Sequence, residues 1–94
     1  MNSQNKCIAF RVMGKVQGVW FRAYARDNAL SLNIDGWVKN DPDGSVFGEA
    51  LGSETNIERF THILREGSPS SRVEDVLFED SPDKGQLPEF EIRF

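Results

Sequence analysis

The sequence has little of what several large classes of protein require. Its one cysteine, Cys7, cannot form a disulfide within the chain, which is usual for a reducing compartment. The first residues lack the basic and apolar regions of a signal peptide, and no apolar run approaches the ~18 residues of a membrane span. We therefore expect a soluble, cytoplasmic monomer without a membrane partner.

Metal ligands and positive charge are also scarce. The only histidine, His62, and the single cysteine show no metal-site spacing, so the sequence predicts no metal and no cofactor. His62 lies off the apolar stripe of its predicted helix and is expected at the surface, and Cys7 is expected to be an inert thiol. Fifteen acidic against eleven basic residues give a net charge of −4, which disfavours binding to nucleic acid.

The remaining pattern indicates one domain over residues 1–94, without linker or repeat. Residues 7–13, "CIAFRVM", alternate as a half-buried strand does, and apolar residues recur at helical spacing over 21–32. The predicted strands cover residues 7–13, 34–40, 45–52, 72–79 and 89–94, and the predicted helices cover 21–32 and 55–66.

A hairpin is predicted where "NDPDGS" (40–45) separates two strand patterns. Pro42 presets φ for a type I turn, and Gly44 can take the positive φ of the bulge that follows. The pairs expected from a three-residue loop are Asp41 with Ser45, Val38 with Gly48, and Trp37 with Glu49.

Local signals also mark the helix ends. Asn33 tolerates the left-handed conformation and is expected to end the first helix. "TNIE" has the form of a capping box, with Thr55 as the cap and Glu58 at the third helical position. Gly67, followed by Pro69, is expected to stop the second helix.

The element order indicates an α+β fold. A helix between the first two strands prevents them from forming a hairpin, whereas the next two must pair. We therefore predict a ferredoxin-like split βαβ sandwich, with two helices on one face of a mostly antiparallel sheet of four or five strands. The predicted core comprises Ile8, Phe10, Val12, Ala25, Leu32, Val38, Val46, Phe60 and Leu64.

The stretch "GKVQGVWFR" (14–22) places two glycines at the predicted turn from strand to helix. Such a turn directs backbone N–H groups and the helix N-terminus at one point, which favours an anion. Arg22 falls in the first helical turn, where the helix dipole disfavours a cation. A negatively charged ligand between the turn and the guanidinium would explain its place.

An alternative platform for single-stranded RNA rests on Trp37 and Phe47, which are expected on the sheet face away from the helices. The third predicted strand, "SVFGEALG", lacks the aromatic and basic run of that class and carries an acid instead. The net negative charge also counts against RNA.

Two long motifs make the chain similar to the acylphosphatase family. The family's turn, G-[KR]-V-Q-G-V-x-F-R, stands here as "GKVQGVWFR" (14–22), and its downstream segment stands as "GWVKNDPDG" (36–44). The stretches "GSPSSRVEDV" (67–76) and "FEIRF" (90–94) also resemble the family, so the resemblance covers essentially the whole chain.

The resemblance implies hydrolysis of small-molecule acyl phosphates to a carboxylate and inorganic phosphate. It assigns Arg22 to the phosphoryl oxygens and Asn40 to the attacking water. The residues whose backbone N–H groups would bind the phosphate are Lys15, Val16, Gln17, Gly18, Val19, Trp20 and Phe21. Inorganic phosphate and sulfate are then expected to compete with the substrate. Trp20 occupies a variable position of the motif, where its bulk is expected to alter the rim of the site.

Taken singly, the two matched residues have simpler interpretations. Arg22 could form a surface ion pair with Asp27 or Asp41, and Asn40 could be a turn residue that bonds its own backbone. A domain of this fold that binds anions or acyl phosphates without turnover is a further alternative. So is a domain that acts on carbamoyl phosphate inside a larger maturation protein.

Overall fold

The computed structural model describes residues 5–82 and 86–94. The elements in chain order are β1 (Asn5–Lys15), α1 (Phe21–Ser31), β2 (Asp35–Asn40), β3 (Val46–Ser53), α2 (Glu54–Glu66), β4 (Arg72–Asp80) and β5 (Glu91–Arg93). The predicted order is confirmed. Residues 83–85, part of the loop predicted before the last strand, lie outside the described residues. Neither described helix has the length and apolarity that a membrane span requires.

The strands form a single sheet in the order β4-β1-β3-β2-β5. The pairs β1–β3, β1–β4 and β2–β3 are antiparallel, and β2–β5 is parallel. This is the predicted ferredoxin-like split βαβ arrangement, with a fifth strand beside β2. The predicted hairpin register is confirmed, because Trp37 lies opposite Glu49 and Val38 opposite Gly48.

Both helices pack on one face of the sheet and share one hydrophobic core with it. Eight of the nine predicted core residues are buried in this core, and Leu32 is half-buried against it, just beyond the end of α1. Further buried members of the core are Val16, Phe21, Ala29, Ile34, Ala50, Ile57 and Phe90. His62 is exposed, as predicted.

The ends of the helices follow local backbone chemistry. Asn33 adopts a left-handed φ of 56° just beyond α1, as predicted. The predicted capping box is wrong, because Ser53, not Thr55, caps α2 and its Oγ accepts a hydrogen bond from the Asn56 N–H over 3.1 Å. Ser53 ends β3 in an extended conformation and lies two residues before the predicted cap, so the helix begins at once, at Glu54.

A bulge near the end of β1 prepares the turn that follows. The register between β1 and β4 shifts between Met13 and Gly14, and Gly14 has a φ of 128°. A Cβ atom at this position would lie 2.1 Å from the carbonyl oxygen of Arg72, so a side chain does not fit. The bulge lets β1 run two residues beyond the predicted end, up to Lys15.

Candidate active site

The candidate site begins at the turn 16–20, between β1 and α1. Gly18 has a φ of 76° and Trp20 a φ of 60°, so two residues of this short turn are left-handed. Left-handed residues in a tight turn direct neighbouring N–H groups to one side, which creates a concave anion-binding surface.

The N-terminus of α1 faces the same turn. Trp20 is its N-cap residue and makes no side-chain capping hydrogen bond, and the first turn contains no acidic residue. The N–H groups of the first helical turn therefore lack a capping side chain or a balancing carboxylate. An anion can supply both the acceptor and the negative charge.

Arg22, the second residue of α1, is held by the C-terminal end of the chain. Its Nη1 lies 3.5 Å from the carbonyl oxygen of Arg93, and its guanidinium carbon lies 4.9 Å from the centre of the Phe94 ring. A long hydrogen bond and a cation–π contact orient the guanidinium without neutralising its charge.

The ion pairs considered for Arg22 are absent from the described part of the chain. Asp41 accepts a hydrogen bond from Arg11 over 2.6 Å, and Asp27 pairs with Arg26 over 3.1 Å. Both candidate carboxylates are thus engaged by other arginines. The surface ion pair proposed as a simpler role for Arg22 is therefore wrong.

Asn40 is the last residue of β2 and lies opposite Val46 of β3, within the sheet and not in the loop. Its side-chain Oδ1 is buried and accepts no hydrogen bond from any described residue. The side-chain oxygen therefore does not bond its own backbone, as a turn residue would. A buried acceptor without a donor costs about 1–3 kcal/mol, unless a bound molecule supplies the proton.

A cavity of about 230 Å³ brings these parts together. Its lining consists of Val16, Gly18, Trp20, Phe21, Arg22 and Asn40. Both predicted catalytic residues thus share one cavity with four of the seven predicted turn residues. Lys15 ends β1 opposite Arg72, and neither it nor Gln17 or Val19 lines the cavity.

The side chain of Gln17 has a role that the sequence did not reveal. Its Nε2 donates to the carbonyl oxygen of Asp41 over 2.7 Å and to that of Ser45 over 2.9 Å. Only the backbone of Gln17 was expected to act. The side-chain amide connects the turn 16–20 to the β2–β3 hairpin, where Asn40 is located. A glutamine in a glycine turn gives no sequence signal for such a distant acceptor.

A polar network supports the same hairpin on its other side. Arg11 donates to Asp41 Oδ2 and to Ser45 Oγ, and the Ser45 hydroxyl donates to Asp43 Oδ1 over 2.6 Å. Hydrogen bonds from the Ser45 hydroxyl and N–H, then the charge of Arg11, lower the pKa of Asp43 below its ordinary value. Sequence reasoning did not identify these partners of Arg11.

Two of the larger hollows in the described part of the chain are poorly suited to a phosphoryl group. One of about 580 Å³ lies between α2, β1 and β4, and acidic side chains dominate its polar lining. These are Glu54, Glu58, Glu79 and Asp80, with Lys6 as the one basic residue among those the structure describes there. Four carboxylates would repel an anion. Within residues 5–82 and 86–94, no three His, Cys, Asp or Glu side chains converge as a metal site.

The second hollow, of about 420 Å³, lies on the open face of the sheet, where an RNA platform was considered. The rings of Trp37 and Phe47 pack edge to face, with centroids 5.5 Å apart. The guanidinium of Arg11 lies 4.9 Å from the Phe47 ring centre, and that of Arg93 lies 4.9 Å from the Trp37 ring centre. Arginines already cover the ring faces on which bases would have to stack.

Comparison with known proteins gives a consistent result. The family model described as Acylphosphatase matches residues 8–92. An acylphosphatase of Nitratidesulfovibrio vulgaris is 43% identical over 88 residues, which cover 92% of this chain and 88% of that protein. One of Rhizorhabdus wittichii is 49% identical over 71 residues, covering 76% of this chain and 72% of that protein. The solved structure of an acylphosphatase from Coxiella burnetii superposes with a TM-score of 0.90 at 38% identity, covering 95% of this chain and 93% of that one.

Proposed function

The chain belongs to the acylphosphatase family, and from this premise we propose how its residues perform the hydrolysis of acyl phosphates. The family membership establishes the activity and a small-molecule substrate. The non-catalytic alternative is not favoured, because Arg22 and Asn40 are both present and share one cavity. The assignment of individual residues to individual steps is our proposal.

Arg22 and the turn bind the phosphoryl group. The guanidinium can donate two parallel hydrogen bonds to two phosphoryl oxygens, and backbone N–H groups of residues 15–21 donate to the others. The free N-terminus of α1 adds a favourable dipole. Because these donors are fixed before the substrate arrives, charge that develops on the oxygens is stabilised without reorganisation.

Asn40 positions the water. Its buried Oδ1 has no donor among the described residues, so it can accept a hydrogen bond from a water molecule in the cavity. An amide oxygen does this without adding negative charge beside the phosphate, which a carboxylate would do. This unpaired acceptor, in the same cavity as Arg22, is the observation that supports the mechanism most directly.

The reaction then needs few groups. The water oxygen bonds to phosphorus while the bridging P–O bond breaks, and its electron pair leaves with the carboxylate. Both water protons remain with the product as dihydrogen phosphate. A carboxylate leaving group has a conjugate acid of pKa about 4, so it needs no general acid at neutral pH. A loose transition state also asks little of the nucleophile.

The test separates binding from turnover. Arg22→Ala should weaken phosphate binding and abolish turnover, and Arg22→Lys should recover little because an ammonium lacks the bidentate geometry. Asn40→Ala should bind phosphate nearly as the parent does, yet lose on the order of 10²-fold or more in kcat. Phosphate affinity is measured by calorimetry and kcat with benzoyl phosphate, with circular dichroism as the control for folding. A folded Asn40→Ala variant with near-parental kcat would contradict the role of Asn40.

The same site also explains why inorganic anions are expected to compete with the substrate. Inorganic phosphate and sulfate present the same oxygens as the substrate, so they should inhibit competitively and occupy the turn 16–20.

We also propose that the protein acts as a cytoplasmic monomer, because the cavity is built from one chain and the single cysteine suits a reducing compartment. Size-exclusion chromatography with light scattering tests the monomer.

A further inference from the structure

Trp20 is an exposed residue of the candidate site, although it is a large aromatic residue. The residue is 79% exposed, and its backbone is left-handed, with φ 60° and ψ 26°. Bulky residues rarely adopt this conformation, whereas Gly, Asn and Asp do so at little cost. An exposed tryptophan at such a position needs an explanation other than the backbone.

The core does not explain Trp20 either. Its neighbours in the cavity wall, Val16 and Phe21, are buried and belong to the core, whereas Trp20 does not. A side chain that is mostly exposed returns little hydrophobic free energy, so Trp20 contributes little to folding. The indole is therefore available for a ligand.

The position of the indole indicates which part of the substrate it meets. Trp20 lines the cavity that also contains Arg22 and Asn40. Once the phosphoryl group is bound by Arg22 and the turn, the acyl group must extend from it toward solvent. Of the three apolar side chains that the described residues contribute to the lining, only that of Trp20 is exposed and so presents a free surface at the mouth of the cavity.

We propose that Trp20 is the contact for the acyl group and that it favours aromatic over small polar acyl groups. This inference rests on the proposed function, because it takes the phosphoryl group to lie at Arg22. A flat ring can stack on the indole, whereas an acetyl or carbamoyl group offers little surface. A second carboxylate on the acyl group finds no further cation among the described lining residues, where Arg22 is the one charged residue and is engaged by the phosphoryl oxygens.

The test compares two substrates in the same variants. Trp20→Asn keeps a residue that tolerates the left-handed backbone, and Trp20→Phe keeps an aromatic ring. The ratio of kcat/KM for benzoyl phosphate to that for acetyl phosphate should fall about 3- to 10-fold in Trp20→Asn. Trp20→Phe should retain most of the parental ratio. Leu77→Ala removes another exposed apolar group, outside the cavity lining, and should leave the ratio unchanged.

Binding of benzoylphosphonate, a non-hydrolysable analogue, should weaken in Trp20→Asn more than binding of inorganic phosphate does. An unchanged substrate ratio in Trp20→Asn would overturn the inference, whether kcat/KM stays at the parental value for both substrates or falls equally for both. Equal loss would place the effect in the backbone of the turn. Failure of the proposed function would appear elsewhere, as undiminished turnover in Arg22→Ala.

Discussion

The side-chain amide of Gln17 donates to the carbonyl oxygen of Asp41 over 2.7 Å, across 24 positions of the chain. The same nitrogen donates a second hydrogen bond, to the Ser45 carbonyl oxygen. Through these bonds the turn 16–20, whose N–H groups we propose to bind phosphate, is fixed to the hairpin that follows Asn40. In the proposed mechanism the distance between the phosphate and the water therefore depends on Gln17, although Gln17 does not line the cavity.

Gln17→Met should therefore separate binding from orientation. Methionine has nearly the size of glutamine but donates no hydrogen bond, so the turn loses its attachment to the hairpin. We expect the free energy of unfolding to fall by about 1–3 kcal/mol. We also expect kcat to fall about 10-fold, with a smaller change in phosphate affinity. The substitution disturbs the position of the turn relative to Asn40 but leaves the positive charge of Arg22 in place.

Urea unfolding and steady-state kinetics of Gln17→Met are the measurements. Lys39→Met is a matched control, since Lys39 lies on β2 and outside the cavity lining. If Gln17→Met loses stability but keeps the parental kcat, the side chain stabilises the fold only, and its positioning role is wrong.

The two glycines of the turn motif should differ in how strongly they resist substitution. Gly14→Ala would bring a Cβ atom to 2.1 Å from the Arg72 carbonyl oxygen, at a φ of 128°. We expect a loss of about 3 kcal/mol or more, from overpacking added to backbone strain. Gly18→Ala meets no atom within 4 Å, so only its φ of 76° is unfavourable and we expect about 1 kcal/mol. Urea unfolding measures both, and equal losses would contradict the steric explanation.

Most of the fold could be predicted from local sequence patterns. The register of the β2–β3 hairpin followed from Pro42 and Gly44, and the end of α1 from Asn33. The cap of α2 was missed because the capping-box pattern of residues 55–58 favoured Thr55, although Ser53 is also a good capping residue. The sequence alone cannot show that β3 leads directly into the helix. The choice between two nearby capping residues therefore depends on the tertiary structure around them.

The candidate site was less predictable than the fold. The motif identified Arg22 and Asn40 through a family resemblance, and the structure places both at one cavity. The contacts that hold the site are distant in sequence, such as Arg22 with Phe94 and Gln17 with Asp41. Periodicity describes one segment at a time and carries no information about which side chains meet across the fold.

Chelation should leave the activity intact. The carboxylate leaving group needs no Lewis acid, and in the proposed mechanism Arg22 with the turn supplies the positive electrostatic environment. We expect kcat/KM for benzoyl phosphate to change less than about twofold after dialysis against excess EDTA, within the error of such assays. Loss of activity that a divalent cation restores would contradict the mechanism, whereas loss that added cations do not restore would indicate damage to the protein.

The hairpin network predicts a specific dependence on pH. The Ser45 hydroxyl and N–H, with a smaller effect of Arg11, lower the pKa of Asp43 in the folded protein. Because the pKa of Asp43 is lower in the folded than in the unfolded protein, the ionised carboxylate stabilises the folded state at every pH above the unfolded pKa. This contribution is lost as the pH falls through the folded pKa. The hairpin contacts should therefore weaken in acid, below the ordinary range of aspartate.

Ser45→Ala should raise the pKa of Asp43 toward its ordinary value, because the hydroxyl donor is lost while the backbone N–H donor at residue 45 remains. Carboxyl carbon shifts in an NMR titration report the pKa of Asp43 directly. The parent protein, titrated under the same conditions, is the control. If the midpoint of Asp43 is the same in Ser45→Ala and the parent, the hydroxyl does not set its pKa, and the assigned network is wrong at this bond.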